Sequence, residues 1–132
     1  MPNDDEARPT VFGAVENLGY HIRTTDHDNQ WIVQSGGLES TIVQYEDYSL
    51  GFYCFVELDD VELEFERLNE ANHKTRFGKF SLKDGNLRLS GDFIFCEEGD
   101  QADQLARIMR LWDAALGDLK SLVLETVQPQ PS

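Results

Sequence analysis

Few of the residues that do chemistry in proteins stand here where they could act together. The three histidines, His21, His27 and His73, are scattered along the chain. Only His27 has acids directly beside it, in Asp26-His27-Asp28. Two carboxylates and an imidazole can bind a divalent cation, but a stable site needs further ligands at recognisable spacing, and none follows. The triplet reads instead as the polar tip of a turn. Cys54 and Cys96 match neither a zinc spacing nor a CxxC redox pair. Cys54 alternates with Phe52 and Val56 along an apolar strand, where a thiol is buried and inert. Both cysteines are therefore expected to be buried free thiols of a reducing compartment. Gly36-Gly37 leads into no phosphate-binding lysine, and there is no GxGxxG. The carboxylates between Glu57 and Glu70 could supply an acid–base pair, yet they fit a solvated helix face better. The expectation is no catalytic residue, no metal and no cofactor.

The elements around these residues can be read from periodicity. Val11, Phe12, Val15 and Leu18 fall at helical spacing, and Gly19 is placed to end that helix in the left-handed conformation. Strand-like segments follow at Tyr20 to Thr25, Trp31 to Ser35, Glu39 to Tyr45 and Leu50 to Leu58, with turn residues between them. Connections this short favour an antiparallel meander. Asp59 or Asp60 can cap a second helix running to about His73, with Val61, Phe65, Leu68 and Asn72 on one face. The strands Phe77 to Leu82 and Leu87 to Phe95 flank Lys83-Asp84-Gly85-Asn86, where Asp-Gly supplies the positive φ angles of a tight hairpin. From Asp100 a long helix reaches about Val127, with Leu105, Ile108, Trp112, Ala115, Leu119 and Leu122 as its apolar stripe. Gly117 lies inside it and marks a place for a bend or break. The prediction is an α+β fold: a twisted antiparallel sheet of five to six strands with three helices, in the order α-β-β-β(-β)-α-β-β-α. Residues 1–127 form a single domain and 128–132 a disordered tail.

The chain has 132 residues and carries 25 Asp and Glu against 11 Lys and Arg, a formal net charge of −14. Such a charge repels phosphate backbones and anionic membranes over a Debye length of ~8 Å. The acidity serves solubility or faces a partner. Residues 57–74 hold seven acids and two bases, whereas residues 76–88 hold four bases and one acid. A salt contact between that basic hairpin and the acidic helix, internal or between subunits, is expected. Met1 to Glu6 is polar and acidic, unlike a secretory leader, and no apolar run approaches the ~20 residues that span a bilayer. A cytoplasmic location is expected.

Apolar residues in excess of one core are the more informative feature. With Phe52, Cys54, Val56 and Leu58 on one face of their strand, Tyr53 and Phe55 must point to the other. Phe77 and Ile94 fall likewise opposite the main apolar set of the hairpin. Either the helices cover one side of the sheet and leave Tyr53, Phe55, Phe77 and Ile94 as an interface, or the last helix wraps over them.

Leu68-Asn69-Glu70-Ala71-Asn72, a few residues before a hairpin with Asp84-Gly85 at its turn, resembles the YbjN-like family. There an LNxxN helix end leads into a strand, a D-G turn, another strand and a closing helix. The resemblance runs from about Val11 to Leu124 and is most specific from Leu68 to Phe95. It implies a fold similar to type III secretion chaperones, which are small, acidic, ATP-independent and commonly dimeric. Asn69 and Asn72 read as structural, holding a helix end or the entry to a strand. The expected function is a non-enzymatic, chaperone-like or adaptor-like protein-binding module that acts as a homodimer. Its partners would be other proteins or their extended segments, with no nucleic acid and no membrane. The alternative is an acidic regulator that mimics nucleic acid on a DNA-binding protein.

Overall fold

The structure is a computed structural model and describes residues 11–45, 49–58, 63–75, 78–94 and 100–127. The elements are α1 (Val11–Asn17), β1 (His21–Thr24), β2 (Gln30–Ser35), β3 (Leu38–Gln44), β4 (Ser49–Glu57), α2 (Phe65–Lys74), β5 (Lys79–Lys83), β6 (Asn86–Ile94) and α3 (Gln101–Val127). The six strands form one antiparallel sheet in the order β1-β2-β3-β4-β6-β5. The predicted class and element order are those observed. The meander breaks once: α2 carries the chain outward so that β6 returns to pair with β4 and leaves β5 at the edge.

Turn chemistry sets the register. Gly36 and Gly37 have φ of 59° and 81°, and Asp84 and Gly85 have φ of 54° and 81°. Two successive positive φ angles define the type I′ hairpin, whose twist matches that of its strands. The closing pairs are Ser35↔Leu38 and Lys83↔Asn86.

Alternation along the strands then sends Val33, Ile42, Leu50, Phe52, Cys54, Phe80, Leu87 and Leu89 to one side, where all are buried. On that side α3 contributes Leu105, Met109, Trp112 and Leu119. The Trp112 ring lies 5.2 Å from that of Phe52, which meets Phe93 edge-on at 5.4 Å. Trp112 also donates from Nε1 to Ser40 Oγ at 2.9 Å, so its one polar atom is satisfied inside the core. Each large side chain buried here stabilises the fold by about 1.5–3 kcal/mol. α3 runs unbroken through Gly117, which faces solvent.

Two details differ from the sequence reading. The second helix begins at Phe65, and its cap residue Glu64 is extended and makes no side-chain cap bond. Asp59, Asp60 and Val61 lie outside the described residues. Phe65 is 76% exposed, because Leu63 in the extended approach is the residue that enters the core. Asn72 does hold the next strand. Phe80 N–H donates to Asn72 Oδ1 at 2.6 Å, and Asn72 Nδ2 donates to the Phe80 carbonyl at 3.0 Å. One side-chain amide thus imitates a neighbouring strand on the outer edge of β5.

Candidate functional site

The three helices pack on the same side of the sheet, and no described element covers the other side. Its residues are those of opposite parity to the core set. On β4 they are Ser49, Gly51, Tyr53, Phe55 and Glu57; opposite them on β6 stand Ile94, Asp92, Ser90, Arg88 and Asn86. Phe55 is 53% exposed and Ile94 79%, while Tyr53 is half-buried. Phe77, the fourth residue expected on this surface, lies outside the described residues. Tyr53 and Phe55 are close neighbours on one strand. Ile94 is opposite Ser49, four residues from Tyr53 along the strand, or ~13 Å away. The face is shared, but Ile94 stands at its far end.

The centre of the face is an aromatic pair that the sequence reading missed. Tyr45 and Tyr53 share a hydrogen bond between their hydroxyls at 2.7 Å. Both rings lie over Gly51: a Cβ there would come within 2.8 Å of Tyr53 Oη and 3.0 Å of Tyr45 Cε2. Glycine is what permits this approach. The Tyr53 phenol is pushed up to about 12, first by its bond to Tyr45 and then by burial. Half-buried Val43 and Ile32 continue the face across β3 and β2. The alternation of Thr41, Val43 and Tyr45 against buried Ser40 and Ile42 was the signal that could have identified them.

Among the described residues the charges on this face are Arg23, Lys79, Lys83 and Arg88 against Glu39, Glu57 and Asp92. Arg88 stands directly across from Phe55 and donates from Nε to Ser81 Oγ at 3.0 Å. Lys79 and Lys83 are exposed on the same face of β5. Arg23 on β1 binds Glu39 through both guanidinium nitrogens, at 3.0 and 3.3 Å, and Gln34 adds a third bond at 3.3 Å. The guanidinium holds the Glu39 carboxyl below its ordinary range. The expected salt contact between the hairpin bases and the acidic helix does not form among the described residues. Lys79, Lys83 and Arg88 point away from α2, whose Glu66 and Glu70 are exposed on the opposite side of the sheet.

Among the described residues the candidate catalytic groups named from the sequence do not converge. His21, His27 and His73 are each exposed, and among the described residues no three His, Cys, Asp or Glu converge as a metal site. Cys54 is buried, and burial pushes its thiol up, away from the reactive thiolate. Cys96 lies outside the described residues. A cleft of about 260 Å³ between α2 and α3 is lined by charges of both signs, among them Arg67, Glu70, Lys74 and Asp118. Arg67 there binds the Glu125 carbonyl at 3.1 Å, and Thr75 binds Asp118 at 3.4 Å, so these groups serve helix packing. Among the described residues no helix is long and apolar enough to cross a membrane.

Comparison with known proteins identifies the fold and the family. In the structural comparison the chain is similar to the crystal structure of YbjN from E. coli, described as "a putative transcription regulator". The two share 14% identity over 94% of this chain and 90% of that one, with a TM-score of 0.59, a likeness of fold. No curated protein sequence matches the chain significantly. The sequence profile of YbjN, described as "Putative bacterial sensory transduction regulator", matches residues 10–125, from α1 to the last turn of α3, and the chain belongs to that family.

Proposed function

We propose that the chain is a non-enzymatic, ATP-independent protein-binding module, chaperone-like or adaptor-like, that acts in the cytoplasm. The observation that carries this reading is the uncovered sheet face with Tyr45, Tyr53 and Phe55 at its centre. A solvated sheet face normally carries polar side chains, and exposed aromatic groups mark a contact surface. In the resting state two copies meet across this face as a homodimer, the commonest closed assembly. A partner protein takes the same face in exchange. Its regulatory family and the absence of a converged reaction centre among the described residues support binding over catalysis.

Phe55→Asp tests the reading, because it sets a charge into the contact while leaving the core untouched. Light scattering at micromolar concentration should find a dimer for the wild type and a monomer for the variant. Circular dichroism should find the two equally folded. A wild type that is monomeric and takes no partner protein would refute the proposal.

A further inference from the structure

Among the described residues the bases of one half of the open face have no ion-pair partner. Among the described residues four Lys and Arg stand on this face, namely Arg23, Lys79, Lys83 and Arg88, and three Asp and Glu, namely Glu39, Glu57 and Asp92. Glu39 is already taken by Arg23 and Gln34. Among the described residues Lys79, Lys83 and Arg88 make no ion pair. The three bases gather on one side of the aromatic centre. Arg88 is the cross-strand neighbour of Phe55, Ser81 lies beyond it, and Lys79 shares a row with Ser90 and Tyr53. Lys83 closes the next row. Among the described residues around the aromatic centre, Lys79, Lys83 and Arg88 stand with two acids, Glu57 in the row of Lys83 and Asp92 across from Gly51, so this part of an otherwise acidic protein carries a net positive charge that favours negative groups.

We propose that the open face selects acidic segments of partner proteins: extended chain with Asp and Glu alternating with apolar residues. This rests on the protein-binding reading above and names the partner's chemistry. Strands β4, β6 and β5 make a strip ~10 Å wide, enough to seat one extended segment. Alternate side chains of such a segment point to opposite sides, so apolar ones can meet Phe55 and Tyr53 while its flanking acids reach Lys79, Lys83 and Arg88. Nucleic acid is disfavoured by the scarcity of free rings, since the Tyr53 ring lies close over Gly51 and its hydroxyl is engaged.

The test uses a short peptide alternating Glu and Phe, the same peptide with Lys for Glu, and an oligothymidylate. Each is titrated by fluorescence anisotropy into the wild type, Phe55→Asp and the triple variant Lys79→Glu/Lys83→Glu/Arg88→Glu. The Glu peptide should bind the wild type about tenfold more tightly than the Lys peptide, a preference that three exposed pairs can supply. The preference should shrink with added salt, invert in the triple variant, and be accompanied by loss of the dimer. If the triple variant does not fold, Lys79→Gln/Lys83→Gln should lower the preference toward unity. Equal binding of both peptides, or preference for the Lys peptide, overturns the proposal; loss of that binding in Phe55→Asp would leave the protein-binding reading standing. Tighter binding of the oligothymidylate also overturns it. If neither peptide binds and the wild type is monomeric, the protein-binding reading fails with it.

Discussion

Asp113 on α3 accepts hydrogen bonds from the Tyr20 hydroxyl, at 2.6 Å, and from the Ser35 hydroxyl. Two hydroxyls from separate parts of the sheet region thereby fix the helix at one carboxylate. The Tyr20 phenol is raised from 10.0 to about 12, by burial first and then by its bond to Asp113. A raised phenol keeps its proton in the folded state while the unfolded chain has already lost it. The stabilisation is therefore complete below pH 10 and declines as pH rises toward 12. Tyr20→Phe should cost about 1–2 kcal/mol at neutral pH. It should also flatten the alkaline decline in urea midpoints, with the part due to Tyr53 remaining. At this scale the sequence was informative where periodicity applied. Cys54 between Phe52 and Val56 was readable as a buried thiol. The Tyr20–Asp113 bond joins residues 93 apart, and no local pattern announces it.

Among the elements, β5 depends most on a single side chain. A strand at the edge of a sheet exposes unpaired N–H and C=O groups that invite association with other chains. Asn72 satisfies both groups of Phe80. Asn72→Ala should cost about 1–3 kcal/mol in chemical denaturation, since it strips both partners from partly buried backbone. It should also raise the aggregation rate on warming, because the edge becomes available. α3 predicts the opposite sign. Gly117 sits in an unbroken helix, and a Cβ there would meet nothing within 4 Å. Gly117→Ala should therefore stabilise the protein by about 0.5–1 kcal/mol, measurable as a higher melting temperature. The hairpins were legible because Asp84-Gly85 and Gly36-Gly37 demand positive φ, a local constraint. The start of α2 was not. Glu64 makes no side-chain cap bond, so the beginning of the helix is set by Leu63 entering the core rather than by a capping residue.

For the whole molecule, the arrangement of layers has the largest consequence. α1, α2 and α3 share one side of the sheet, so among the described residues no helix covers those of opposite parity. Alternation in Leu50 to Leu58 already pointed Tyr53 and Phe55 away from the core, and the structure places Phe55 and Ile94 in solvent. Sequence reasoning could not decide whether the last helix would wrap over that side, because handedness of packing is a property of the assembled fold. It recorded the basic stretch of residues 76–88 but not the face that stretch shares with Arg23. Arg88 and Lys79 are far from Arg23 in sequence, and pairing across the sheet brings them onto one face. The central claim is that this face is a protein contact surface. Fluorine NMR of protein carrying fluorophenylalanine, with the Phe55 signal assigned by Phe55→Leu, reads it directly. On dilution through the micromolar range the Phe55 resonance should move from a covered to a solvated position, while buried Phe52 and Phe80 keep theirs. A Phe55 resonance that stays at its solvated position at every concentration, with partner protein present or absent, would contradict the account.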